Sequence, residues 1–438
     1  MLLKRIIFLI VIFLLISNII TASDNDTIDN KKSRSIGLLP AIAYDADLGF
    51  QWGALANIYW YGKPSTYPNY QHSLYVEASR FKAGSYLTRV YYDSEKLLNP
   101  IRTTIDITFI RDQLMDFYGF NGYESKYYSE WEDDITNAFY KHHRDLFRIL
   151  TNFKGPVSNN KNLQWVAGFT LFDMNIHSVE LNKINKTADP QLPDTAGLYE
   201  KYTDWNIISD KEKNGGTNAY IKIGLSYDSR DFEANPSKGI FSELFISTTP
   251  SFLSSHHESF SRITAVHRQY ITLLSEKTIF AYRFLYQKTI EGKVPFYLLP
   301  HIVTSSLGSA TSQGLGGAKT LRGISRNRVV GDGIFLANVE VRQMIKRFNL
   351  FNQDFYVATN LFTDMGMVVQ PYSIDLSQVP DEEKELYFSD DKEKLHTSLG
   401  LGLKIAMNEN FIVSVDYGKA MNNQDGNSGI YIMLNYLF

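Results

Sequence analysis

Residues 316–342 read GGAKTLRGISRNRVVGDGIFLANVEVR. The stretch opens with paired glycines, whose missing Cβ lets a backbone turn tightly or lie close to a wall. A polar run follows and carries Arg322. From Gly333 the character changes. Phe335, Ala337, Val339 and Val341 fall on one parity, and Asn338, Glu340 and Arg342 on the other. That period of two is a strand with one apolar and one polar face. A wall that is apolar outside and polar inside belongs to a transmembrane β-barrel. The loop before it is predicted to fold back into the lumen and bring Arg322 to Glu340 or to Asp364 of the next strand. A guanidinium stays charged and offers a planar fork to a carboxylate, so it suits an internal latch better than lysine. The glycines do not form a phosphate loop, because no Gly-Lys-Ser/Thr follows them.

Working outward, sixteen segments read as strands: 36–44, 48–60, 71–82, 84–94, 100–112, 138–154, 162–180, 217–229, 238–248, 257–273, 277–290, 333–346, 353–369, 396–407, 410–419 and 429–438. Ile221, Ile223, Leu225 and Tyr227 oppose Lys222, Gly224, Ser226 and Asp228; Leu399, Leu401, Leu403 and Ile405 oppose Gly400, Gly402 and Lys404. Connections after even strands are mostly short, and those at 113–137, 181–216, 291–332 and 370–395, all after odd strands, are long. Short periplasmic turns and long outer loops are the outer-membrane pattern. The expected fold is therefore all-β: a sixteen-stranded antiparallel transmembrane barrel over 36–438 with its sixth extracellular loop in the lumen. Segment 125–140 is expected to form a short helix within its loop.

Residues 1–23 read as a cleaved secretory signal, with Lys4 and Arg5 before an apolar run and Thr21-Ala22-Ser23 at the cleavage site. Residues 24–35 read as a disordered periplasmic linker. Aromatics make up 14% of the chain although its mean hydropathy is only −0.22, a combination that suits a barrel with aromatic girdles. There is no cysteine, which rules out disulfides and a lipidated-cysteine anchor. A net charge of −3 without a basic stripe argues against a nucleic-acid partner.

Four places carry a family resemblance. Leu321-Arg322-Gly323-Ile324, preceded by Gly316-Gly317, looks like a (V/L)RG(F/Y) loop tip, with Ile324 at the usual aromatic position. Asp364-Met365-Gly366 looks like a D-x-G strand motif. Asp228-Ser229-Arg230-Asp231, continued by Pro236 and Gly239, resembles a D-(T/S)-R-D…P-x-x-G turn. The final strand places Ile430, Ile432, Leu434, Tyr436 and Phe438 on one face, like the C-terminal signal of bacterial outer-membrane barrels. In this order, they resemble the barrel domain of the BamA/TamA-like outer-membrane assembly superfamily, the bacterial surface antigen family. The resemblance implies a barrel in the bacterial outer membrane that assists protein insertion or translocation, or lipid assembly. It implies contact with outer-membrane lipid and lipopolysaccharide, and dependence on the assembly machinery during biogenesis. Between Ser23 and Ile36 there is no room for the periplasmic POTRA domains of the best-known members. The chain therefore resembles a short member, and a periplasmic partner or a client barrel protein is the implied companion.

Other candidates are weaker. Asp228, Arg230 and Asp231 read as turn chemistry. His142-His143 and His256-His257 are adjacent pairs, and strand neighbours face opposite sides, so neither pair is expected to hold a metal. The acidic runs at 381–385 and 390–393 read as solvated loops. No G-x-S-x-G elbow is present, and neither an enzymatic role nor a cofactor is expected. Strand one carries Pro40, which cannot donate a ladder hydrogen bond, so the seam between strands one and sixteen is expected to be weak. The alternative function is a passive or plugged pore, or a structural surface antigen.

Overall fold

The computed structural model describes residues 34–62, 70–82, 84–132, 138–158, 160, 162–185, 195–233, 235–273, 277–303, 314–350, 353–407 and 411–438. The predicted signal segment and nearly all of the predicted linker lie outside these residues. So do parts of the short turns at 274–277, 347–352 and 407–409.

The strands are β1 Arg34–Asp45, β2 Gly49–Trp60, β3 His72–Phe81, β4 Tyr86–Leu98, β5 Ile101–Asp116, β6 Lys141–Pro156, β7 Leu163–His177 and β8 Gly215–Asp228. They continue as β9 Gly239–Thr249, β10 Phe260–Thr272, β11 Thr278–Gly292, β12 Gly333–Leu350, β13 Gln353–Gln370, β14 His396–Met407, β15 Phe411–Ala420 and β16 Ser428–Leu434. Each pairs antiparallel with its sequence neighbours, and β16 returns to β1, closing a sixteen-stranded barrel. Closure pairs the strand edges that an open sheet would expose, except along β1, which meets β16 at the single registered pair Tyr44↔Ile432. No helix of the described residues is long and apolar enough to cross a membrane. Instead the outward faces of the strands are apolar and exposed: Ile223 is 64% accessible, Leu361 65% and Leu401 56%. Exposed leucine and isoleucine in a continuous belt are unstable against water and are explained by a lipid surround.

The opposite parity is buried and rich in charge. Arg144, Arg148, Lys222, Glu243, Arg268, Arg283, Glu340, Asp364, Lys404 and Asp416 all stand on it. At the long-loop end, the connections after β5, β7, β11 and β13 pack together. Their core holds Phe117, Phe120, Tyr199, Tyr202, Phe296 and Tyr372. Much of the aromatic content therefore builds a cap core over the barrel rather than the girdles that composition alone suggests.

Several boundaries differ from the sequence reading. β1 begins at Arg34, within the predicted linker. β10 begins at Phe260, so His256 and His257 lie in the preceding loop and not on a strand. His142 packs against Phe117 and Tyr199, while His143 stacks on His177 at 4.0 Å, so the two imidazoles engage different partners. In 125–140 the described helical part is one 3₁₀ turn, Ser129–Glu132. The loops instead form helices at Leu198–Asp204 and Asp381–Tyr387. The acidic runs are more than solvated loop: Glu383 pairs with Lys201 and accepts from Trp205 Nε1, and Glu393 accepts from the Tyr123 and Val368 amides.

The largest departure is at the last strand. β16 stops at Leu434, because Asn435 adopts a left-handed conformation (φ +67°) that breaks the alternation. Tyr436, Leu437 and Phe438 leave the face shared by Ile430, Ile432 and Leu434 and are buried. Arg342 donates to the Phe438 carbonyl at 2.9 Å and lies 4.3 Å over the Tyr436 ring.

Candidate functional site

The tip of the loop between β11 and β12 is where the predicted residues meet. Leu321 and Ile324 are fully buried beside Leu315, Val329, Leu336 and Val368. This apolar packing fixes the two sides of the tip and aims Arg322 between them. Gly366 makes room: a Cβ there would stand 2.8 Å from Leu315 Cδ1 and 3.1 Å from Leu321 Cδ1. Gly316 donates its amide to Thr320 Oγ1, and Gly317 donates to the Ile324 carbonyl, tying the ends of the tip together. Gly323 has φ +93°, and a Cβ on it would lie 2.4 Å from the Gly418 carbonyl carbon of β15. Two backbones touch here, and only glycine at both positions permits it.

Arg322 has no exposed surface. Its Nε and Nη2 donate to the two Asp364 oxygens at 2.8 and 3.0 Å, a bidentate fork that its own amide extends at 3.0 Å. Nη1 donates to Asp416 Oδ2 at 3.1 Å. Glu340 Oε1 lies 2.8 Å from Nη2 as a charge contact without hydrogen-bond alignment. The guanidinium carbon sits 3.4 Å from the centroid of the Phe362 ring. Burial alone would pull the Arg322 guanidinium down, but the Asp364, Glu340 and Asp416 carboxylates hold it above its usual range. The sequence reading offered Glu340 or Asp364; the tip engages both, and Asp416 besides.

The carboxylates have further partners. Arg342 donates to Glu340 at 2.8 Å, Lys404 to Asp416 at 2.5 Å, and Asn338 Nδ2 to Asp364 at 2.8 Å. Asp416 was missed, although strand alternation marks it: it shares parity with Ser414 and opposes Val413, Val415 and Tyr417. Also unforeseen are Tyr431, which accepts the Gly323 amide through its hydroxyl, and two further arginines of the same loop. Arg326 donates to Asp116 at 2.5 Å; Arg328 donates to the Gly122, Ser125 and Gln424 carbonyls. Asp47 accepts the Arg326 amide. Burial first, then Asp45 and Asp116, push the Asp47 carboxyl well above the usual range.

The 228–239 turn is a separate structure at the short-turn end. Arg230 forks onto Asp228 at 2.9 and 2.7 Å, and Asp231 accepts from the amides of Phe232 and Ser237. Pro236 is buried, and Gly239 takes φ +110° against Ser229. Among the described residues the turn makes no contact with Arg322. Tyr436 and Phe438 meet the site through Arg342, through Lys404 over the Tyr436 ring at 5.7 Å, and through Arg283 over the Phe438 ring at 5.3 Å. Among the described residues no group of three metal-ligating side chains converges.

The fold matches solved structures. A BamA structure from Haemophilus ducreyi lacking POTRA domains 1–3 superposes with a TM-score of 0.54 at 15% identity, over 92% of this chain and 70% of that one. CdiB from Escherichia coli gives 0.51 at 10% identity, over 92% of this chain and 63% of its own length. The chain thus spans less than two thirds of that CdiB. A search of curated proteins finds no match. The model of the Omp85 superfamily domain matches residues 77–436, which include every strand from β4 to β16, the Arg322 tip and its three carboxylates, and on that match the chain belongs to the Omp85 superfamily of outer-membrane barrels.

Proposed function

We propose that this barrel assists the insertion or translocation of other chains at the outer membrane, through the seam between β1 and β16. The supporting observation is the seam itself. β1 pairs all twelve of its residues with β2, from Arg34↔Trp60 to Asp45↔Gly49, but meets β16 at one registered pair, Tyr44↔Ile432. A strand whose other edge is almost unpaired carries free amides and carbonyls that can template an incoming strand. In this reading the long loops face outward, the loop before β12 lies in the lumen, and Arg322 latches it there. The residues act by position and pairing, without bond chemistry. The experiment is a Tyr44→Cys/Ile432→Cys disulfide in this cysteine-free chain, tested in liposomes on the assisted folding of a small reporter barrel. The oxidised protein loses the acceleration and regains it on reduction. Full activity while oxidised sinks the proposal.

The plugged-pore reading has its own support in the cap, where Arg328, Glu383 and Glu393 tie several loops together. Planar-bilayer conductance separates the two. A closed wild type that opens on Arg322→Ala is the latch; identical stable pores in both are a passive channel.

A further inference from the structure

The outer wall next to the seam carries a row of cations and aromatic rings that neither the Arg322 latch nor the free β1 edge uses. On β3, Glu77, Ser79 and Phe81 are buried on the lumen side, so Arg80 faces out and is exposed. The Lys82 amide donates to the Phe50 carbonyl at 2.8 Å and carries the ladder one residue further, which puts exposed Lys82 on the same face. Two residues along a strand set the pair about 7 Å apart. Register places an aromatic residue beside each cation. Trp52 of β2 and Tyr86 of β4 flank Arg80, and Phe50, stacked on Trp52, lies across from Lys82. Arg111 of β5 follows in the same row, its guanidinium 5.5 Å from the Tyr86 ring. That arginine is committed to Asp145 by a fork at 2.7 and 2.9 Å. Among the described residues the Arg80 and Lys82 side chains make no hydrogen bond and no ion pair.

Below this row the wall is apolar and shallow. The β2–β3 ladder runs on from Trp52↔Arg80 to Ala54↔Ala78 and Ala56↔Val76. Pro40 and Leu38 of β1 stand on one side of it, and Thr88 and Val90 of β4 on the other. A narrow track, one ladder wide, thus leads from the two free cations into the lipid belt. Apolar contact does not by itself select a lipid, because lipid tails are as apolar as the wall. Selection falls to the headgroup. Trp and Tyr rings settle at the boundary between acyl chains and headgroups, which fixes the depth of Arg80 and Lys82. A phosphate at that depth accepts charge-assisted hydrogen bonds from a guanidinium and an ammonium together. The ring faces of exposed Trp52 and half-exposed Tyr86 suit a sugar beside the phosphate. A phosphorylated sugar therefore fits the row better than a bare phosphodiester.

We propose that Arg80 and Lys82 bind a phosphate of an outer-leaflet glycolipid of the lipid A type, with one acyl chain lying along Ala54, Ala78 and Ala56. The site rests on the outward orientation of the long loops in the reading above, and on nothing else in it. The binding test uses the whole barrel refolded in nonionic detergent, with native mass spectrometry reading the bound lipid. Purified lipid A gives a saturable adduct on wild type. Arg80→Gln/Lys82→Gln weakens it at least tenfold, whereas Lys419→Gln, an outward and exposed lysine of β15, leaves it unchanged. A second comparison needs no variant: lipid A stripped of its phosphates binds wild type at least tenfold more weakly. Phosphatidylglycerol, which offers a phosphate without the phosphorylated sugar, also binds more weakly. Equal affinity for phosphatidylglycerol overturns the glycolipid assignment. Absence of binding to wild type, equal binding to the double variant, or no loss on removal of the phosphates overturns the site and leaves an interfacial girdle only. Orientation is read separately, with Glu382→Cys in the loop before β14 and a membrane-impermeant maleimide on intact cells. Labelling supports the outward orientation; its absence refutes that orientation and the proposal with it, whatever the detergent titration gives.

Discussion

Replacing Arg322 by Met removes the guanidinium while keeping a flexible apolar stem over Phe362. Its effect can be worked from the partners. Glu340 keeps Arg342 at 2.8 Å, and Asp416 keeps Lys404 at 2.5 Å. Asp364 alone loses its cation and is left with the Asn338 amide at 2.8 Å and the residue-322 backbone amide at 3.0 Å. One orphaned buried carboxylate costs about 3–5 kcal/mol. Loss of the stacked cation adds about 1–2 kcal/mol at a desolvated site. The tip can escape this cost by leaving the wall, so the loss in global stability is capped by the free energy that docks the loop. Two readouts are therefore needed. Urea unfolding of the refolded barrel reports the global term, and limited proteolysis at 318–328 reports release of the tip. Met at 322 lowers stability by about 3–5 kcal/mol, or exposes the tip to protease with a smaller loss. Adding Asp364→Asn to it restores at least half of the deficit, because the orphan charge is gone. A variant within about 1 kcal/mol of wild type, with the tip still protected, refutes the assignment of Arg322 as the buried clamp.

Gly418→Ala places a Cβ 2.4 Å from the Arg322 carbonyl and costs about 1–3 kcal/mol with release of the tip, whereas Gly37→Ala, with nothing within 4 Å, stays within about 0.5 kcal/mol in the same urea titration. Arg342→Met loses the bonds to the Phe438 carbonyl and to Glu340 and costs about 3–5 kcal/mol; hydrogen exchange at 435–438 speeds up, and exchange in the 318–328 tip changes with it through the shared Glu340. Asp47→Asn tests the raised carboxyl. Its folded form prefers the proton, so this aspartate contributes most below the ordinary aspartate range and loses that contribution as pH rises through its elevated folded value. Urea midpoints of wild type and Asp47→Asn therefore coincide in acid and separate toward neutral pH, with Asn the more stable; the opposite order contradicts the assigned burial.

The barrel was legible because its walls obey a period of two. Counting parity along 333–342 and 355–367 was enough to place Glu340 and Asp364 on one buried face, and the D-x-G spacing marked Gly366. The same count reaches Asp416 along 410–419, but no motif marks it. Loop contacts are another matter. Arg326 to Asp116 and Arg328 to three carbonyls depend on the path of an aperiodic segment, and no spacing rule encodes that path. The cap helices are hidden because each runs only seven residues, Leu198–Asp204 and Asp381–Tyr387, too short for a helical period to stand out. At the end of the chain, parity misled. Tyr436 and Phe438 continue the alternation of 430–434 on paper, but Asn435 tolerates φ +67° and turns them inward.

Glu340 stands between two cations with different attachments. On one side is Arg322, fixed to the loop tip; on the other is Arg342, which holds the segment after β16 by the Phe438 carbonyl. A single carboxylate thus belongs to two equilibria, docking of the tip and closure of the chain's last residues. Thermodynamic linkage makes such sharing symmetric: whatever weakens one attachment alters the other by the same factor. Pulling residues 436–438 away leaves Arg342 free to compete differently for Glu340, and so retunes the grip on Arg322 some distance along the wall. The loop tip and the last residues of the chain are in this sense two readouts of one charge balance.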